Sequence, residues 1–113
     1  MINIYLSGKI TGLAEKQAKR DFKKAESRLN KAGKKADVGI RIFNPCEALP
    51  FGLEWRIYMK NGIKTLVDCD WLVDVGNDDG TSKGMKLEKR IARDLKIKIM
   101  GIDDAVKFLE SCK

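Results

Sequence analysis

Four short β-prone runs, each followed by a stretch with helical or loop character, leave this chain few ways to fold. Residues 2–7, 40–43, 69–75 and 97–100 read as strands. Between them, apolar residues recur at helical spacing over residues 14–34 (Ala18, Phe22, Ala25, Leu29) and 54–67 (Trp55, Tyr58, Met59, Ile63, Leu66, Val67), and again from Ser82 onward (Leu87, Ile91, Ala92, Leu95). A terminal helix over 104–111, begun near Asp103, completes the series. Gly33 is expected to close the first helix, and Asn44-Pro45 to end the second strand, since proline cannot continue a ladder. Residues 46–53 read as a loop, and Gly62 weakens the second helix by roughly 1 kcal/mol relative to alanine. Strands alternating with helices argue a parallel sheet with helices on both faces. Right-handed crossovers make 2-1-3-4 the natural strand order. The expected fold class is α/β, a flavodoxin-like or Rossmann-like three-layer sandwich with a four- to five-stranded parallel sheet.

A chain of 113 residues holds one such unit, here a single domain over residues 1–113, with no repeat or linker to divide it. No apolar run reaches membrane-spanning length, and the N-terminus opens into a strand rather than a signal-peptide pattern, so a soluble, cytoplasmic protein is expected. Cys46, Cys69 and Cys112 are odd in number and lack the paired spacing of zinc or thioredoxin sites, which suits buried thiols in a reducing compartment. The absence of histidine removes Ser–His and Cys–His nucleophilic chemistry and the commonest metal ligand together. Any catalysis must rest on carboxylates, hydroxyls or lysines, and neither a metal nor an organic cofactor is expected. The net charge of +7 lies mostly around the first helix, on Lys16, Lys19, Arg20, Lys23, Lys24, Arg28 and Lys31. Few aromatics are interleaved there, so this reads as a solvated face rather than a nucleic-acid platform, although its field can attract phosphorylated small molecules.

Within this frame Glu88 stands out. It precedes Ile91, Ala92 and Leu95 by three, four and seven residues, which puts a carboxylate on an otherwise apolar helix face. Its neighbours at three and four residues are Gly84, Met85, Ile91 and Ala92, and none of them can pair with it. Helical side chains lean toward the N-terminus, so Glu88 leans over Gly84, where the missing Cβ leaves space for a small pocket. Ser82 is a suitable N-cap after the loop 76–81. Glu88 then lies about one and a half turns into the helix, near the crevice beyond the strand C-termini where parallel α/β sheets bind ligands. The competing reading is a half-buried carboxylate paired with a distant Lys or Arg.

Two segments taken together carry a family resemblance: Ile4-Tyr5-Leu6-Ser7-Gly8-Lys9-Ile10-Thr11-Gly12 at the first strand, and Ser82-Lys83-Gly84-Met85-Lys86-Leu87-Glu88 at the third helix. With Phe43-Asn44-Pro45, residues 55–59 and Cys69-Asp70 between them, the chain resembles the nucleoside 2-deoxyribosyltransferase superfamily over nearly its whole length. It looks most like small bacterial and phage relatives, and is also similar to the deoxynucleoside 5′-monophosphate N-glycosidases. The resemblance implies that Glu88 is the nucleophile that attacks the anomeric carbon of a deoxyribose. Chemically, an ionised carboxylate can trap an oxocarbenium-like centre, while a second carboxyl group must protonate the departing base. The resemblance further implies that Tyr5, Ser7, Gly8 and Gly12 contact base or sugar, that Asn44 and Asp78 belong to the substrate site, and that Ser82 and the N–H groups at Gly84 hold a 5′-hydroxyl or 5′-phosphate. Tyr5 can equally be a core aromatic, and Gly8 and Gly12 turn formers.

One departure bears on catalysis. Relatives often carry an aspartate about eight residues before the position of Asp70, and here that place is Gly62. Asp70, the expected second catalytic carboxylate, and Asp74, Asp78 and Asp79 are the available substitutes, although Asp78 and Asp79 also suit turns. The leading expectation is cleavage or transfer at the N-glycosidic bond of a deoxyribonucleoside or its 5′-monophosphate. The alternatives are a nucleotide-capturing module without turnover and a basic nucleic-acid accessory protein. The expected partners are a small nucleoside or nucleotide and further copies of the chain in a homodimer or larger homo-oligomer, with no membrane and no nucleic acid. Trp55, Tyr58 and Trp71 are either interface or core aromatics.

Overall fold

A computed structural model describes residues 1–112. In chain order the elements are β1 (Ile2–Ser7), α1 (Glu15–Ala36), β2 (Ile40–Phe43), α2 (Pro45–Ala48), α3 (Trp55–Leu66), β3 (Trp71–Asp74), α4 (Lys83–Asp94), β4 (Lys98–Gly101) and α5 (Ile102–Glu110). The four strands form one sheet in the order β2-β1-β3-β4, and every neighbouring pair is parallel. The expected order holds, and the strand count settles at four. All strand C-termini therefore lie along one edge, which sets Ser7 beside Asp74 and Asp74 beside Gly101.

The pleat of the central strands sorts their side chains between two helical layers. Ile4 and Leu6 of β1 and Trp71 and Val73 of β3 pack with Phe22, Ala25 and Leu29 of α1 and Ala105 and Leu109 of α5. Tyr5 and Leu72 point the other way, into a smaller cluster with Leu66 of α3 and Ala92 of α4. Trp71 is thus a core residue, and its ring meets Phe108 edge-on at 5.3 Å. The predicted α1 stripe is buried along its whole length, which leaves the lysines and arginines around it outside.

Three local expectations change. Helix α1 does not stop at Gly33 but runs to Ala36 and ends at Asp37, which adopts the left-handed conformation at φ 57°. A Cβ at Gly33 would lie 3.1 Å from the Val38 carbonyl oxygen, so this glycine serves the close return of the chain into β2 rather than termination. The stretch predicted as a loop contains the short helix α2, capped by Asn44, whose Oδ1 accepts from Cys46 N–H at 3.0 Å. The cysteines are free, but only Cys46 and Cys69 are half-buried, and Cys112 is exposed. Burial pushes both half-buried thiols up to about 11, so they stay protonated and inert near neutrality. Among the described residues no helix is long and apolar enough to cross a membrane.

Candidate active site

Glu88 is 7% exposed, on the α4 face that packs against the sheet. Tyr5 and Ser7 stand two residues apart on β1, so they project from the same face of the sheet. Both reach the carboxylate: the Tyr5 hydroxyl donates to Oε2, and the Ser7 hydroxyl donates to Oε1 at 2.7 Å. Each oxygen of Glu88 therefore has its own donor, and both donors are themselves 1% exposed. No described lysine or arginine pairs with Glu88, so the ion-pair reading of this carboxylate falls away.

The electrostatics follow from this enclosure. Burial pushes the Glu88 carboxyl from 4.5 up to about 7, while the hydrogen bonds from Tyr5 and Ser7, and the charge of Lys89, pull in the opposite direction. Burial, reinforced by the Glu88 charge, holds the Tyr5 phenol far above its usual range, so Tyr5 remains a donor. Lys89 does not touch Glu88. It pairs with Asp74 at 2.7 Å and ties α4 to the C-terminal end of β3.

Glu88 opens onto a cavity of about 340 Å³ at the C-terminal edge of the sheet. The β1–α1 loop from Gly8 to Gly12 forms one wall, and Thr81, Ser82, Lys83 and Gly84, around the start of α4, form another. Trp55, Tyr58 and Met59 of α3 close the third side. Ser82 caps α4 as expected, accepting from Met85 N–H at 3.2 Å. The space above Gly84 is not empty, however. A Cβ there would meet Met59 Sδ at 3.1 Å and Trp55 Nε1 at 3.7 Å, so Gly84 admits α3 to the cavity wall. Trp55 stays 43% exposed at the rim, and Tyr58 donates to the Pro45 carbonyl at 3.1 Å. Burial also raises the Tyr58 phenol, which keeps it a neutral donor.

The candidates separate cleanly. Glu88, Gly8, Gly12, Ser82 and Gly84 line the cavity, and Tyr5 and Ser7 support its carboxylate from behind. Asp70 does not join them. It precedes β3, at the sheet edge opposite the cavity, where Oδ2 accepts from Asn3 N–H at 2.8 Å. A four-residue strand of about 13 Å separates it from the site end. Asn44 is also outside the cavity, capping α2 and donating to Glu26 at 2.9 Å. Asp78 accepts from Gly80 N–H at 3.0 Å and Ser82 N–H at 3.2 Å, so it shapes the loop that leads into α4. Asp79 accepts from both the N–H and the hydroxyl of Thr81. Glu88 is the only carboxylate among the described residues that line the cavity.

Gly62 lies at the heart of this arrangement. A Cβ at position 62 would collide with the Tyr5 hydroxyl and come within 3.8 Å of Glu88 Oε2. The Tyr5–Glu88 hydrogen bond therefore depends on a bare backbone in α3. Gly62→Ala is expected to lose about 1–3 kcal/mol by overpacking despite a helix-propensity gain of about 1 kcal/mol. In a Tyr5→Phe background the same glycine change should cost much less, because the ring carbon Cζ lies 3.6 Å from the new methyl, an ordinary contact. A urea-unfolding cycle of the two single variants and the double variant measures this, and additive losses would contradict it.

Fold and site together define a Rossmann-like parallel α/β domain with one buried carboxylate facing a crevice at the strand C-termini. The chain belongs to the family described as Domain of unknown function (DUF4406), which matches residues 2–101. That match runs from β1 through β4 and takes in all three sides of the cavity. No curated protein and no solved structure matches the chain.

Proposed function

We propose that this protein cleaves or transfers at the N-glycosidic bond of a 2′-deoxyribonucleoside 5′-monophosphate or its nucleoside, with Glu88 as nucleophile. The observation that carries this reading is a single buried carboxylate, held by Tyr5 and Ser7, at the floor of a cavity large enough for a nucleotide-sized ligand. In the reaction, a Glu88 oxygen bonds to the anomeric carbon as the C–N bond breaks and its electron pair leaves with the base. The base takes a proton from solvent water, and water or a second base then displaces the carboxylate from the sugar, giving up a proton to solvent. Tyr5 and Ser7 keep the carboxylate aimed through both changes of charge. Lys9 and Lys83 are the charged residues besides Glu88 in the cavity wall, and their sign favours a phosphorylated substrate over the free nucleoside.

A nucleotide-capturing role without turnover is the second reading. It is favoured by the lack of any other carboxylate among the described cavity residues to protonate the base. The deciding experiment measures free base released from a panel of deoxyribonucleosides and their 5′-monophosphates, with intact-mass analysis of the protein after denaturation. Base release with a deoxyribosyl adduct that disappears in Glu88→Ala supports the glycosidic reaction, with monophosphates turned over faster. Tight binding without base or adduct moves the assignment to capture.

The pH dependence offers a sharper check. The nucleophile must be ionised, so base release should rise with pH through about 7. Ser7→Ala removes a hydrogen bond that lowers the Glu88 pKa, so its pH–rate inflection should move to higher pH. An inflection that stays put, or moves down, would mean that Ser7 does not stabilise the ionised form.

A further inference from the structure

One polar cluster beside the cavity is not used by the chemistry above. Asn77, in the β3–α4 loop, does not line the cavity, but two of its hydrogen bonds go to Lys9, which does, and a third goes to Asp21 of α1. Its Oδ1 accepts from Lys9 N–H at 2.7 Å, and its Nδ2 donates to the Lys9 carbonyl at 3.0 Å. The same Nδ2 donates to Asp21 Oδ2 on α1 at 2.9 Å, and Gln17 donates to the other Asp21 oxygen at 2.7 Å. Asp21 accepts only, so it fixes which end of the Asn77 amide faces it and leaves Oδ1 for the Lys9 N–H.

The backbone ladder between β1 and β3 ends close by, with Val75 N–H donating to the Ser7 carbonyl at 2.9 Å. Beyond that point the side chain of Asn77 takes the place of a strand, satisfying both backbone groups of Lys9. Gly8 makes this approach possible, since a Cβ there would lie 3.0 Å from Asn77 Oδ1. Lys9 also reaches back to the second loop, donating to Thr81 at 3.4 Å. The two loops that wall the cavity are thus tied together at Lys9.

We infer that Asn77, oriented by Asp21, is a positioning residue that holds the Lys9–Gly12 wall in its ligand-binding conformation. The link to substrate rests on the glycosidic reading, whereas the link to loop position does not. Asn77→Asp keeps an acceptor for Lys9 N–H but replaces the donor with a carboxylate facing both the Lys9 carbonyl and Asp21. Adding Asp21→Asn restores a donor between the two side chains and removes the repulsion.

The test uses the full chain and has two readouts. Amide hydrogen exchange of Lys9 is followed by NMR in wild type, Asn77→Asp and Asn77→Asp/Asp21→Asn. Base release from deoxynucleoside 5′-monophosphates is measured on the same proteins. The expected result is Lys9 exchange at least about tenfold faster in Asn77→Asp, partly restored in the double variant. KM should rise about tenfold in Asn77→Asp, with kcat within about twofold and the pH–rate inflection of Glu88 unmoved. Unchanged Lys9 exchange overturns the inference whatever the activity. Faster exchange with unchanged KM, or an equal loss carried by kcat alone, overturns it too. If wild type releases no base, the glycosidic reading fails; faster Lys9 exchange and weaker binding of the same monophosphates in Asn77→Asp would still support the positioning role, and unchanged binding would overturn it.

Discussion

Glu88→Gln is expected to lower base release by at least about a thousandfold while making the folded protein more stable above neutrality. The loss follows because an amide cannot form the glycosyl ester. The gain follows from linkage. The folded carboxyl titrates near 7, against 4.5 for the unperturbed group, so its contribution to stability is fully present below the unfolded value and is lost as pH rises through the folded one. Between those limits wild type forfeits about 3 kcal/mol, which it does not regain at pH 8. Glutamine carries no charge to desolvate, and its amide can donate to one hydroxyl while accepting from the other, since Tyr5 and Ser7 can play either part. At pH 8 the variant should melt up to about 10 °C above wild type, with the difference shrinking toward pH 4. A variant that melts below wild type at pH 8 would show that the ionised carboxylate is welcome in the folded state, and the proposed electrostatics would have to be abandoned.

Gly8→Ala is expected to cost about 3 kcal/mol, at the upper end of single-residue overpacking. The added methyl would overlap the Val75 side chain, lie 2.8 Å from Phe22 Cζ and sit 3.0 Å from Asn77 Oδ1. These atoms belong to three separate segments, so no single rotamer change relieves all of them. Phe22 is fully buried and cannot swing into solvent. The midpoint of urea unfolding should fall accordingly at unchanged slope, and ligand binding should weaken because the displaced segment walls the cavity. A loss under about 1 kcal/mol would show that the loop gives way easily.

Gly8 and Gly12 illustrate how far residue patterns reach. Gly12 has φ 90°, so turn formation accounts for it, as a short polar loop suggests. Gly8 is required by what comes within reach of it from residues 22, 75 and 77, a long-range fact invisible in local sequence. The same division holds elsewhere. The bounds of β1 and β2, the strand order and the burial of the α1 stripe were legible because periodicity and loop lengths leave few alternatives for a chain this short. Glu88 was legible as a carboxylate out of place on an apolar face. Its partners were half legible: Tyr5 and Ser7 share a strand face by alternation, a pairing that needs only the register of β1 against α4 to complete it.

Asp70 shows a different lapse. In an all-parallel sheet a residue before a strand sits at the edge away from the strand C-termini, so strand direction alone separates Asp70 from Glu88. Asn44 carried its own signal, because asparagine before proline is a helix N-cap pattern, and here it caps α2. Met59 and Trp55 were visible as helical apolar positions, but nothing local distinguishes a core position from one that lines a cavity. Their place depends on the close approach of α3 to Gly84.

The crowding between positions 5 and 62 also restricts the order in which these two residues can be substituted. A side chain acquired first at position 62 meets the tyrosine hydroxyl head-on, whereas loss of that hydroxyl first leaves room for the newcomer beside Glu88. In this backbone, a Cβ at position 62 and the hydroxyl at position 5 compete for one small volume. A side chain at position 62 should therefore be tolerated best once the hydroxyl at position 5 is gone, so substitution by way of Tyr5→Phe is the less costly order.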